Sequence, residues 1–252
     1  TYGHRENELF PTASMIKVPI MIGVYDGIAN GVLEYQQKLM FDDQIQYAYG
    51  SDLVGSLKIG SEITLSKLVF LMISTSDNTA SLWAQNLAGT GEHINTIMEQ
   101  NGYTKTKVNS RTPGREKAYE SYGWGQTTTK EMVAIFTDIA EENILNSAAC
   151  QDMQRTLSNQ YWNSEGLSQI PPFVQTLAKS GAVSHSRSET ILVYAPSGTY
   201  CFSIISKNQL DQSWASDNEG FAVLRTISKL LWEHFEPESP YLVPQDAYEF
   251  SK

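Results

Sequence analysis

Phe10-Pro11-Thr12-Ala13-Ser14-Met15-Ile16-Lys17-Val18-Pro19-Ile20-Met21 is the stretch on which the reading of this chain turns. From Ser14 onward, apolar residues recur at Ile16, Val18, Ile20, Met21, Val24 and Tyr25 and stop near Gly27 and Gly31, which predicts a helix with Ser14 at its N-terminus. One turn apart, Ser14 and Lys17 then share a face. Alone, the pair is a common coincidence, and its plain reading is a capping serine followed by a solvated lysine.

Working outward, Leu65, Leu68, Val69, Met72 and Ile73 recur at helical spacing after Thr64, so Ile63 to Thr75 reads as a second helix with Ser76-Asp77-Asn78 just past it. Further helices are expected over Thr79 to Leu87, Glu92 to Gln100, Lys130 to Glu142 and Ser147 to Asn159. Between them, Asn109 to Thr128 holds Pro113, Gly114, Gly123 and Gly125 with few periodic apolar residues, the mark of a long ordered loop. Tyr161-Trp162-Asn163 reads as a turn whose aromatic rings pack as core or cleft wall.

From Phe173 the period changes. Short alternating runs over Val174 to Ala182, Glu189 to Ala195 and Tyr200 to Lys207, with Pro196-Ser197-Gly198 as a turn, predict an antiparallel meander. Asp217 to Phe235 is a final amphipathic helix, and residues 237–252 look like a tail.

The chain of 252 residues suits one compact unit, and a composition of 41% hydrophobic and 18% charged residues is that of a globular protein. A formal net charge of -10 argues against nucleic acid and anionic lipid surfaces as partners. The longest apolar stretch, Leu65 to Ile73, is interrupted by Ser66 and Lys67, so no membrane span is expected. Residues 1–6 show no export signal, which has either been removed or was never present. Cys150 and Cys201 lack metal-ligand or redox spacing and read as two buried thiols, with a single disulfide as the alternative and no metal site.

Ser76-Asp77-Asn78 has a second copy at Ser216-Asp217-Asn218, which reads as the cap of the terminal helix and shows how readily the tripeptide arises. Lys179-Ser180-Gly181 falls on an expected strand, where Gly181 allows close backbone approach to a ligand. Order removes the coincidence: S-x-x-K on a helix, S-D-N after a helix, K-S-G on a strand.

With these motifs in place the sequence resembles the class A β-lactamases and related penicillin-binding serine hydrolases, from Phe10-Pro11 to the helix ending near His234. Ser76-Asp77-Asn78-Thr79-Ala80 and Thr127-Thr128-Thr129-Lys130-Glu131-Met132 add to the likeness. The resemblance implies an α+β, β-lactamase/transpeptidase-like fold in which an antiparallel sheet flanked by helices packs on an all-helical lobe. The helical lobe is expected over 14–159 and the sheet lobe over 1–13 and 160–236, with the catalytic cleft between them. In the family the sheet has five strands. Its first helix and strand precede the position of Phe10, so either a strand is absent or the chain is a fragment.

The implied chemistry has stated needs. A serine hydroxyl requires a base to take its proton as it attacks a carbonyl. Lys17 serves when neutral, a state favoured by burial and by a neighbouring cation such as Lys179. Ser76 passes a proton to the departing nitrogen and Asn78 holds the substrate amide. Lys179 and Ser180 bind a carboxylate. Backbone NH groups of Ser14 and Ala182 form the oxyanion hole. No metal or organic cofactor is implied. The expected partner is a small β-lactam or a peptidoglycan stem peptide, met by a monomer outside the cytoplasm, secreted or periplasmic.

Three departures bear on function. Class A enzymes deacylate with a loop glutamate, and at gapless spacing Thr112 occupies that place, leaving Glu116 or Glu120 as substitutes. The link Gly55 to Gly60 is short where the family carries an aromatic wall, a role open to Tyr47 or Tyr49. Arg187 stands near the family's carboxylate-binding arginine but reads one residue out of register, which on a strand turns it to the other face. Hydrolysis of the β-lactam amide is the leading expectation. A D-alanyl-D-alanine peptidase or esterase with slow deacylation, and a penicilloyl-binding sensor, are the alternatives.

Overall fold

The structure is a computed structural model that describes residues 1–45, 52–244 and 247. Tyr47 and Tyr49, the expected substitutes for the aromatic wall, lie outside the described residues.

β1 (Phe10–Pro11) leads through a 3-10 turn, Ala13–Ile16, into α1 (Lys17–Ala29). The α-helix therefore starts three residues later than its apolar pattern predicts, and Ser14 sits in the tighter turn ahead of it. β2 (Lys38–Met40) pairs with β3 (Glu62–Thr64), and α2 (Leu65–Ser74), α3 (Asn78–Leu87) and α4 (Thr90–Gln100) follow. Next come β4 (Lys107–Val108), α5 (Glu116–Tyr122), β5 (Gly125–Thr127), α6 (Thr129–Ala140) and α7 (Ser147–Leu157). The expected long loop thus contains a helix and a strand. None of α5 is buried, so it carries no apolar period for a sequence reading to find.

α1 runs through the middle of the helical layer. Val18, Ile20, Met21, Ile22 and Val24 are all fully buried, as in a helix apolar all round. Each such side chain contributes about 1.5–3 kcal/mol by leaving water. Gly23 keeps α4 close, since a methyl group there would meet Ile94 Cγ1 at 2.8 Å.

The main sheet is an antiparallel meander of β6 (Thr176–Val183), β7 (Ser186–Ala195) and β8 (Gly198–Ile205), covered by α8 (Glu219–Phe235). Among the described residues it has three strands where the resemblance implied five. One face carries Leu177 and Leu192 into the main core, and the other packs Ala178, Ile191 and Val193 with Trp232 of α8. Asn218 caps α8 by accepting from the Gly220 NH, as its tripeptide predicts. Arg187 pairs with Ala182 across the β6–β7 ladder and is buried, stacked on Trp214 and Phe221. Both cysteines are free thiols rather than a disulfide, Cys150 buried as expected and Cys201 half-buried.

A second small sheet, ordered β1-β5-β4, ties the segment before Ser14 to the end of the 109–128 loop. Its pairs include Phe10 with Thr127 and Val108 with Gly125. The nucleophile candidate is thereby held from below by a sheet and from behind by α1.

Candidate active site

Ser14 is half-buried, and Ala13 before it holds a left-handed φ of 45°. Such a conformation costs a residue with a Cβ about 1–2 kcal/mol, and here it belongs to the sharp turn that lifts Ser14 out of the helix axis. Lys17, fully buried at the first position of α1, donates to Ser14 Oγ at 3.1 Å. The same ammonium donates to Ser76 O at 2.5 Å, Ser76 Oγ at 3.1 Å and Asn78 Oδ1 at 2.8 Å. A side chain that local reading would leave in solvent is instead the hub of the cluster.

Ser76 lies in the turn between α2 and α3, with φ at 59°. Lys179 of β6 reaches it from the sheet, donating to Ser76 Oγ at 3.2 Å and to Ser180 O at 3.0 Å. Two buried lysines therefore share one hydroxyl. Asp77 points away from them and caps α3, accepting from the Ala80 NH at 2.7 Å and the Val54 NH at 2.9 Å. Burial raises its carboxyl above the usual range.

Asp52 is a residue that sequence reasoning missed. Its carboxylate accepts from the NH groups of Asn78 at 3.1 Å, Thr79 at 2.7 Å and Gly55 at 3.0 Å, and from Thr79 Oγ1 at 2.9 Å. Asn78 and Thr79 are remote from it in sequence, and the only local sign was an aspartate three residues before the Gly55 to Gly60 link.

On the sheet side, Gly181 does allow a close approach, but to the chain itself. A methyl group on it would lie 2.7 Å from Thr12 O and 2.8 Å from Ser14 N. β6 is thus pressed against the backbone of the nucleophile turn, where a Cβ would force the two apart. If Ser14 is acylated as the sequence resemblance implies, Gly181→Ala is expected to slow that step in the folded protein by about 10- to 100-fold, the effect of a small misplacement at a reacting centre. Stopped-flow acylation checks it, and a wild-type rate would show that the contact carries no catalytic geometry.

Ser180, Gly181 and Ala182 line a small space of about 10 Å³ with Trp162 and Glu165. Trp162 donates from Nε1 to Thr75 O at 2.9 Å, so the predicted aromatic turn stands beside the Ser76 turn. Behind Ser180 in the ladder, Glu189 is buried and accepts from the Gly166 NH at 2.7 Å. Burial, with Glu165 alongside, pushes its carboxyl up to about 8. Arg225 pairs with Glu165 at 3.1 Å.

In front of Ser14 opens a cleft of about 1160 Å³. Pro11, Tyr122 and Trp124 form part of its wall, and Ala182, Val183, Leu210 and Trp214 another. Ser14 and Asn78 both line it. No aspartate or glutamate does so among the described residues.

Glu116 is not brought to the cluster. It is exposed at the start of α5, and its carboxylate turns back to accept from the Gly114 NH at 3.0 Å. Glu120 is exposed as well. Thr112 is buried, donates to Ser110 O at 2.9 Å and fills the space above Gly91 of α4, where a methyl group would meet its Oγ1 at 1.9 Å.

The sequence model of the Beta-lactamase enzyme family matches residues 1–235. Among solved structures, a β-lactamase from Sphaerobacter thermophilus is similar at a TM-score of 0.82 and 20% identity, over 95% of this chain and 88% of that one. A β-lactamase from Chitinophaga pinensis gives 0.81 and 16%, over 92% and 87%. A leucine-to-glutamate variant of PBP-A, an acyl-enzyme complex with penicillin G, gives 0.79 and 19%, over 92% and 84%. At these identities the likeness is one of fold. No curated protein sequence matches the chain.

Proposed function

Because the chain belongs to the Beta-lactamase enzyme family, we propose that it is a serine hydrolase in which Ser14 takes the acyl group of a β-lactam or of a peptidoglycan stem peptide. The observation that carries this reading is the convergence of Lys17 and Lys179 on Ser14 and Ser76. Ser14 Oγ attacks the carbonyl carbon while Lys17, neutral for this step, takes its proton. The NH groups of Ser14 and Ala182 receive the oxyanion. Ser76, bonded to both lysines, hands a proton to the departing nitrogen and is reprotonated by Lys17, which gives up the proton it took from Ser14, and Asn78 holds the substrate amide. Lys179 and Ser180 meet the substrate carboxylate. Such substrates lie outside the cytoplasm, where the protein acts as a monomer.

Slow deacylation is favoured by the lining of the cleft, which offers no carboxylate to activate water among the described residues. It supports a penicillin-binding peptidase or esterase over a rapid β-lactamase. The test is intact-protein mass spectrometry after mixing with a penicillin, followed from seconds to hours, for the wild type and Glu116→Gln. A lasting adduct is expected, with a lifetime changed by less than about twofold in the variant. Fast turnover that Glu116→Gln abolishes would instead establish a β-lactamase with a relocated base. The absence of both adduct and turnover would overturn the acyl-enzyme reading.

A further inference from the structure

We propose that Asp52 is a positioning residue of the reaction centre, whose carboxylate clasps the start of α3 and thereby holds Ser76 and Asn78 against Lys17. The inference rests on the reading of Ser14 as an acylated nucleophile and assigns a role to a residue outside the three motifs.

The first NH groups of any α-helix lack partners within it. In α3 the Ala80 NH goes to Asp77, an ordinary cap three residues upstream. The two NH groups before it, on Asn78 and Thr79, go to Asp52, which also accepts from Thr79 Oγ1. The arrangement is reciprocal. Asp52 binds the backbone of the 78–79 segment, and Asp77 binds the NH of Val54 in the segment that carries Asp52. The two chains are packed tightly there: a methyl group on Gly55 would lie 2.2 Å from Asp52 Oδ1 and 2.9 Å from Thr79 Oγ1.

One carboxylate suffices to cap a helix, and a second beside it adds repulsion. Asp52 is among the causes that raise the Asp77 carboxyl, after burial. What the second acid supplies is control of the Asn78 backbone. The side chain of that residue accepts from Lys17 at 2.8 Å, and Ser76, two residues earlier, gives Lys17 both its carbonyl and its hydroxyl oxygen. Of the four acceptors named for Lys17, all but Ser14 Oγ sit on this turn. The turn is therefore the other half of the lysine's cage, and it holds Ser76 in a left-handed conformation that an untethered serine would leave. Releasing it changes where Lys17 Nζ sits relative to Ser14 and which oxygens surround it.

The experiment is the second-order rate constant for acylation by a penicillin as a function of pH, with thermal melting alongside, for the wild type, Asp52→Ala, Asp52→Asn and Thr79→Val. Asp52→Ala is expected to acylate about tenfold or more slowly, with a displaced pH profile. Asp52→Asn keeps one acceptor oxygen and Thr79→Val removes one donor, so both fall between it and the wild type. Folded variants that acylate at the wild-type rate with the wild-type pH profile, even at a lower melting temperature, would overturn the inference and leave Asp52 a purely stabilising role. If Asp52→Ala does not fold, the two milder variants carry the same comparison. A wild-type protein that shows neither adduct nor turnover overturns the acyl-enzyme reading and this inference with it.

Discussion

Ser14→Ala is expected to remove the penicillin adduct altogether and to lower turnover of any substrate by about 10⁴- to 10⁶-fold. Alanine has no oxygen to carry the acyl group, so the covalent route is lost rather than slowed. What survives is the cleft and the two backbone NH groups at Ser14 and Ala182, enough for a residual rate above that in water. The fold should persist. Ser14 is half-buried and its hydroxyl accepts from Lys17, so the loss in stability is on the order of 1 kcal/mol. Intact mass and steady-state hydrolysis on protein of verified melting temperature decide it. Turnover within tenfold of the wild type would mean that another residue is the nucleophile.

The second large effect is at Lys17. It is fully buried and donates to Ser14 Oγ, to both oxygens of Ser76 and to Asn78. Without the neutral Lys17 amine, Ser14 has no basic nitrogen at 3.1 Å to take its proton. Lys17→Met, which keeps most of the volume, should reduce acylation by about 10³-fold, within the range that general bases supply. Lys17→Ala should be as slow and less stable by a further about 2–4 kcal/mol, because it leaves a cavity among polar groups. Comparing the two variants separates chemistry from packing. A methionine variant that acylates within tenfold of the wild type would remove Lys17 from the role of base.

Much of this was legible in the chain because the signals were local or periodic. The helices α1, α2, α3, α6 and α7 announce themselves by apolar spacing, and the meander by its alternation. Ser14, Lys17, Ser76, Asn78 and Lys179 were readable as an ordered set of motifs, and the structure brings them together. What failed to show lacked such a signal. α5 buries nothing, and the 3-10 turn around Ser14 differs from a helix start by one hydrogen-bond register. The Gly181 contact with Thr12 and Ser14 and the Asp52 clasp both join segments far apart in sequence. Arg187 shows the same limit: the sequence read it as one residue out of register with the family's arginine, but neither its ladder partner Ala182 nor its burial against Trp214 and Phe221 was visible there.

The seating of Thr112 over Gly91 also bears on how descendants of this gene could change. No single-nucleotide substitution turns a threonine codon into a glutamate codon, and a longer acidic side chain at 112 would have to push α4 aside at a glycine already in contact with it. Inheritance of a faster hydrolytic habit through that position therefore needs linked changes in the loop and the helix. Glu116 and Glu120 already carry the acid on exposed backbone, so a lineage under antibiotic selection has a shorter path through a reshaped α5 than through Thr112.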